Sequence, residues 1–436
     1  MKIIIVKEVI LTFGLSALML ISLFTVNALQ VGSFEHLSTK ETIIRYTLAC
    51  FDSDENSSGY GSFAPIVGGK NYRWLHITRE ALELLGMLDA IDRVNENAVL
   101  YFINTSEIRI LYDSEDGFYH PYYYGGMSDI YNALLSLNAL DKLYLAETLV
   151  NTSALHYLVV NQSSTHYEPL RAYVFIADFF GWLGELNTTW YAERFYDRVM
   201  RDIMYNYGCP SSLGYGWGNE FYESCSNLMA LSMVGGAETF TSDTRIITDF
   251  EHLIRTFLLL RWDSYNGGFD DDIGGYLSTH ARDPRFVIAS VKPSYVCLQL
   301  AKQMGYNLPD MLHGTDEWVS NAFARLVSTS QTKYGFFKSS LPYLTLHNYP
   351  LNVEPWDYSL EDNYYAVSLL NSVNRTQILD EGQFRWPPDS TTLIETYQKE
   401  GYLIPLIAAI VIVPTLIIVL IKKMKTRITS KENVNN

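Results

Sequence analysis

Trp262-Asp263-Ser264-Tyr265-Asn266-Gly267-Gly268-Phe269 is an aromatic-Asp-Ser start followed by a glycine turn, and the pattern returns along the chain. Phe51-Asp52-Ser53 and Tyr112-Asp113-Ser114-Glu115-Asp116-Gly117-Phe118 repeat it, and Gly214-Tyr215 and Gly335-Phe336 keep its glycine-aromatic step. A fixed unit that recurs marks a repeat architecture. Each turn lies between two stretches of helical period. The stretches before it are expected at 34–53, 95–107, 146–162, 189–207, 243–262 and 312–331. Those after it are expected at 76–92, 128–143, 168–186, 223–236, 290–305 and 358–373.

The two sets differ in character. The second is apolar almost all round, as in Ile130-Tyr131-Asn132-Ala133-Leu134-Leu135 and Asn363-Tyr364-Tyr365-Ala366-Val367. Such helices are buried. The first set carries charge on one face, as with Arg194, Asp197, Arg198 and Arg201, and faces solvent. One pair cannot bury its own apolar face. Six pairs closed into a ring can, which predicts an all-α, (α/α)6 toroid; an open solenoid of hairpins is the alternative.

The helix end, Gly-Gly-Phe and Ser/Asp-x-Tyr-x-Ala-Leu series resembles the prenyltransferase and squalene-cyclase repeat. Gln331-Thr332-Lys333-Tyr334-Gly335-Phe336 resembles a reduced form of that family's Gln-x3-Gly-aromatic motif, and Asn266–Asp270 with the Pro293–Gln299 helix looks like another repeat. The resemblance covers about residues 35–375 and implies the same toroid. It brings over the fold alone. The cyclases' Asp-x-Asp-Asp acid is absent: Asp270-Asp271-Asp272 runs on into Ile273-Gly274-Gly275. The protein prenyltransferases' zinc set of Asp, Cys and His is not matched either. Cys297 is displaced from its expected position, and Asp362, Tyr364 and Tyr365 stand where a His is wanted.

The ends give an address. Lys2 and Lys7 precede an uncharged run, Ile10 to Val26, and Val26-Asn27-Ala28 fits a cleavage site, so residues 1–28 read as a secretory signal. Leu403 to Ile421 is uncharged and, at 1.5 Å per residue, about 28 Å long as a helix, enough for one span. Tyr397 and Tyr402 flank it on one side and Lys422, Lys423, Lys425 and Arg427 on the other, which keeps the tail 422–436 cytoplasmic. The ring, 29–376, is then outside, held close to the membrane by a linker, 377–402. Six Asn-x-Ser/Thr sequons, Asn56, Asn104, Asn151, Asn161, Asn187 and Asn374, all fall between the two apolar segments.

Net charge is −16, and more negative still in the exported part once the basic tail is set aside. Such a surface repels phosphate backbones, which argues against nucleic acid. Thirty-two Tyr point to wet, aromatic-lined cavities. Cys209 and Cys225 bracket one loop and are the expected disulfide; Cys50 and Cys297 read as buried thiols. No Cys/His cluster has zinc spacing.

Candidate chemistry falls on loops. Asp270, Asp271 and Asp272 beside Asn266 offer oxygen ligands for Ca²⁺ or an acid of raised pKa, or are a solvated acidic turn. The long aromatic loop 340–359 gathers His347, Glu354, Trp356 and Asp357, with Glu361 and Asp362 behind it. Paired carboxylates beside rings suit glycoside cleavage; the same residues also suit a helix cap. Asp116, His120, Tyr122, Tyr123 and Tyr124 form a possible stacking wall, with Trp217 and Glu220 another aromatic-acid pair; Asp129 reads as a helix cap. No Ser/His/Asp order, P-loop or dinucleotide fingerprint is present, and the Asp52, Asp54, Asn56 series stops short of an EF-hand. Three functions follow as expectations: a membrane-anchored surface toroid taking an apolar, isoprenoid-like ligand in its centre, a carbohydrate-active hydrolase or lyase with paired carboxylates, or a non-catalytic surface scaffold.

Overall fold

The computed structural model describes residues 35–67, 74–106, 108, 110–113, 118–121, 126–161, 170–195, 219–235, 250–264, 266–270, 289–332, 335–338 and 359–386. The described chain is mostly helical, with a few strands of two to four residues. Residues Ser38–Phe384 form one compact unit. Strand Glu35–Leu37 pairs with strand Phe384–Trp386. The expected signal, 1–28, and span, 403–421, lie outside the described residues. Among the described residues no helix is long and apolar enough to cross a membrane.

Within the large unit the helices alternate as the repeat predicts. Helix α1 (Thr39–Ala49) leads to α2 (Leu75–Met87), and α3 (Glu96–Thr105) to α4 (Gly126–Ala139). Then α5 (Ala146–Val150) and α6 (Thr152–Asn161) lead to α7 (Leu170–Phe180), and helical residues 188–195 to α8 (Asn219–Met233). Last, α9 (Phe250–Leu259) leads to α10 (Val291–Gln303), and α11 (Leu308–Met311) with α12 (Asp316–Thr329) to α13 (Leu360–Ser372).

Burial separates the two sets. In α2, Leu75, Ile77, Thr78, Glu80, Ala81, Leu82, Leu84 and Leu85 are all buried, which leaves accessible only the stripe of His76, Arg79, Glu83, Gly86 and Met87. In α12 only Val319, Ala322, Phe323, Leu326 and Val327 are, a single stripe at i, i+3, i+4, i+7 and i+8. The second-set helices pack on one another in cyclic order: α2 on α4, α4 on α7, α7 on α8, α8 on α10, α10 on α13, and α13 back on α2.

The turns explain how each pair is joined. Gly61, Gly267 and Gly335 all have positive φ, +84°, +83° and +89°. A Cβ on Gly61 would stand 1.9 Å from the Ala98 carbonyl oxygen and one on Gly267 2.7 Å from Ala322 Cβ, so only glycine fits. Two residues further on, Phe63, Phe269 and Phe337 are buried. Each donates its backbone N–H to the fourth residue of the next helix: to Thr78 Oγ1 at 3.2 Å, Ser294 Oγ at 2.8 Å and Asn363 Oδ1 at 3.1 Å. A buried N–H that would otherwise be orphaned thus ties each turn to its inner helix. The sequence pattern placed the last aromatic at Phe336; the structurally equivalent residue is Phe337.

Helix starts are fixed locally. Ser38, Asn95, Thr315 and Ser359 cap α1, α3, α12 and α13, each side-chain oxygen accepting a first-turn N–H.

Candidate functional site in a buried polar centre

The alternating pattern places equivalent residues of the inner helices at one level. Four residues after the buried starts Leu75, Val291 and Leu360 stand Arg79, Tyr295 and Tyr364. These three side chains meet. With Glu83 and Tyr131 they line a cavity of about 550 Å³ between α2, α4, α10 and α13. Asn138, Ser368, Asn371 and Ser372 continue its wall toward the C-terminal ends of the helices. The volume lies within the range of ligand pockets.

Tyr364 donates its hydroxyl to Glu83 Oε2 at 2.7 Å and shares a hydrogen bond with Tyr295. Arg79 Nη2 donates to Glu80 Oε1 at 3.0 Å, Arg79 Nε lies 3.9 Å from Glu83 Oε2, and the guanidinium sits 5.7 Å over the Tyr364 ring. Beside this group Lys292 Nζ lies 2.5 Å from Glu361 Oε1, over the rings of Tyr222 at 4.5 Å and Tyr365 at 5.2 Å. Glu83, Lys292 and Glu361 keep roughly a third of their side chains accessible, at 27%, 28% and 35%, whereas Glu80 keeps 4%. Glu80 Oε2 has no hydrogen-bond partner among the described residues.

Burial governs the titration of the centre. It pushes the Glu80 carboxyl up to about 7, against the opposing pull of Arg79. It raises the hydroxyl of Tyr131 to about 12 and that of Tyr364 well above the usual tyrosine range. For Arg79 burial works downward, but Glu83, Tyr364 and Glu80 more than reverse it and hold the guanidinium charged. The centre therefore offers a fixed cation, hydroxyl donors and a carboxyl that is partly protonated at neutral pH.

No family model matches this chain, and no curated protein matches it.

Most of the expected site residues are not among those described. Asp271, Asp272, His347, Glu354, Trp356, Asp357, Tyr122, Tyr123, Tyr124, Trp217 and Asp116 lie outside the described residues, as do the side chains of His120 and Glu220. Asp270 is buried, its N–H bonded to Arg261 O at 3.0 Å, and so is not part of a solvated turn. Asp362 sits in the first turn of α13, its N–H bonded to the capping hydroxyl of Ser359. Asp129 lies in the first turn of α4 and is not its cap, and burial raises its carboxyl. Cys225 is a buried free thiol; its expected partner Cys209 lies outside the described residues. Cys50 and Cys297 are buried thiols. Among the described residues no group of three or more His, Cys, Asp or Glu is arranged to hold a metal ion. All six sequon asparagines are exposed.

Of the residues that make the centre, the sequence pattern had reached Glu361, Tyr364 and Tyr365. It passed over Arg79, Glu80, Glu83, Lys292 and Tyr295. The available signal was alignment of the inner helices on their apolar starts, which puts the few polar residues in register.

A smaller cavity of about 200 Å³ near Thr39, Gln331 and Glu381 is a packing seam. Gln331 Nε2 donates to Thr39 Oγ1, which donates to Glu381 O, both at 2.9 Å.

Proposed function

We propose that this chain is an exported (α/α)6 toroid, held at the outer face of a membrane by residues 403–421, that binds a saccharide in the central cavity between its inner helices. The cyclic packing of α2, α4, α7, α8, α10 and α13 supports the ring, and with it the proposed kinship in plan to prenyltransferase and squalene-cyclase repeats. The exposure of Asn56, Asn104, Asn151, Asn161, Asn187 and Asn374 supports an extracytoplasmic, glycosylated domain.

The observation that carries the ligand class is the Tyr364–Glu83–Arg79 group on the wall of a cavity that mixes tyrosine, asparagine and serine with Leu82, Met87, Leu135 and Ala139. Sugar hydroxyls donate to carboxylate and amide oxygens and accept from guanidinium and hydroxyl groups, and sugar faces stack on tyrosine rings. An isoprenoid would strip water from Arg79 and Glu83 without replacing those hydrogen bonds, at a cost of about 1–3 kcal/mol per group. The Arg79, Glu83 and Tyr364 groups therefore favour an amphipathic ligand such as a glycan over a wholly apolar one.

A thermal-shift screen of the full chain in detergent tests this. Neutral oligosaccharides are expected to raise Tm and isoprenoid alcohols or diphosphates are not. A shift with isoprenoids alone would replace the saccharide reading with the apolar one. No shift with either would leave the scaffold reading.

A further inference from the structure

Gly86 stands where glycine has no local reason to be. It is the penultimate residue of α2, and glycine in a helix is less stable than alanine. Its φ is not positive; the left-handed residue that follows α2 is Asp89, at +56°. Nor does close packing exclude a side chain, since a Cβ on Gly86 would meet nothing within 4 Å. Yet Gly86 lines the central cavity. The missing side chain leaves a notch in the cavity wall, and such a glycine calls for a packing or functional reason. A group of the ligand that occupies the notch supplies one.

The cavity has two tiers. Arg79, Tyr131 and Tyr364 belong to the first, and seven residues further along the same three helices Gly86, Asn138 and Asn371 belong to the second. Seven residues are two turns, about 10 Å of helix, so the tiers meet different parts of a ligand longer than one sugar ring. The first tier sets one cation, Arg79, 3.9 Å from one carboxylate, Glu83, which suits a ligand without net charge. In the second, the side-chain amides of Asn138 and Asn371 make no hydrogen bond among the described residues. Met87, Leu135 and Ala139 add apolar surface beside them. Uncommitted amides beside an apolar notch complement an acetamido group, whose N–H donates, whose carbonyl accepts and whose methyl needs an apolar place. Resting on the saccharide reading, we propose that the ligand is a neutral oligosaccharide of N-acetylamino sugars, with an acetamido methyl in the notch at Gly86 and its amide on Asn138 and Asn371. A plain hexose leaves the notch unfilled. A free amino sugar brings a positive charge to a tier whose lining has no carboxylate.

The test titrates the full chain in detergent with N,N′-diacetylchitobiose, cellobiose and chitobiose, and with malto- and manno-oligosaccharides. The first three share one linkage and differ only in the substituent beside the anomeric carbon: acetamido, hydroxyl or ammonium. Diacetylchitobiose is expected to bind about tenfold or more tightly than the other two, the worth of one methyl-sized group in an apolar place. Gly86→Ala puts one carbon into the notch and Gly86→Leu fills it; both residues favour a helix, so Tm should not fall. The preference for diacetylchitobiose should shrink in the first variant and vanish in the second. Equal binding of all the sugars, or tighter binding of any sugar without an acetamido group, overturns this proposal and leaves the saccharide reading standing. Wild-type preference in both Gly86 variants overturns the seat assigned to the methyl. Absence of binding by every sugar overturns the saccharide reading itself, and this proposal with it.

Discussion

The Tyr364 hydroxyl donates to Glu83 Oε2 across 2.7 Å, joining helices whose residues are 281 apart in the chain. The bond lies where the last inner helix packs on the first. Ser368 Oγ and Met87 Sδ meet at 3.8 Å along the same seam. A single bond thus serves both the fold, by fastening the cycle, and the site, by orienting the carboxylate on the cavity wall.

Tyr364→Phe keeps the ring and removes the donor. Removing a partner from a hydrogen bond to a charged group costs about 1.5–3 kcal/mol. Urea unfolding of the full chain should show a loss of that order. The double variant with Glu83→Gln should lose less than the sum of the two single changes, because the pair is coupled. Strict additivity would mean that the bond contributes nothing.

Stability should depend on pH through Glu80. Its carboxyl is raised from 4.5 to about 7 by burial, so the folded chain binds a proton more tightly than the unfolded one. The contribution is fully present below about pH 4.5 and is lost as pH rises through about 7. The shift of roughly 2.5 units at 1.36 kcal/mol each amounts to about 3 kcal/mol between those limits. Glu80→Gln should flatten this part of the stability profile, raising stability at pH 8 more than at pH 5. An unchanged profile would show that Glu80 titrates as an ordinary carboxyl.

The turn glycines differ in what surrounds them. A Cβ on Gly61 meets the Ala98 carbonyl at 1.9 Å, whereas one on Gly181, at φ +74°, meets nothing within 4 Å. Gly181→Ala should cost only the left-handed strain, about 1–2 kcal/mol. Gly61→Ala should cost about 3 kcal/mol or more, since backbone must shift. Equal losses in Tm would contradict the close approach at Gly61.

The two helix sets were legible because their chemistry is legible. Inner stretches such as 358–373 and 76–92 are apolar nearly all round, and the structure has α13 and α2 there. Outer stretches such as 312–331 have one apolar stripe, and α12 follows it. The site was much less legible. Charged residues drew attention to loops, yet the described centre is built from isolated polar residues inside apolar helices. Arg79, Glu80 and Glu83 are the charged exceptions that the apolar reading of 76–92 passed over; packing of α2 against α4 and α13 brings them into the centre. Lys292 and Glu361 lie 69 residues apart and become a pair only when α10 and α13 pack together.

Export predicts glycans on the exposed sequons. Mapping peptides after enzymatic deglycosylation in H₂¹⁸O should find labelled Asp at several of Asn56, Asn104, Asn151, Asn161, Asn187 and Asn374 in the chain purified from its own membranes. Unlabelled Asn at all six would count against the exported topology.

Calorimetric titration of oligosaccharide into the full chain and its Glu83→Gln variant measures the central claim directly. Wild type is expected to bind with one site, and Glu83→Gln to bind about tenfold or more weakly, the loss of one charge-assisted hydrogen bond. Equal affinity in the two proteins, or heat only from isoprenoid ligands, would contradict the account.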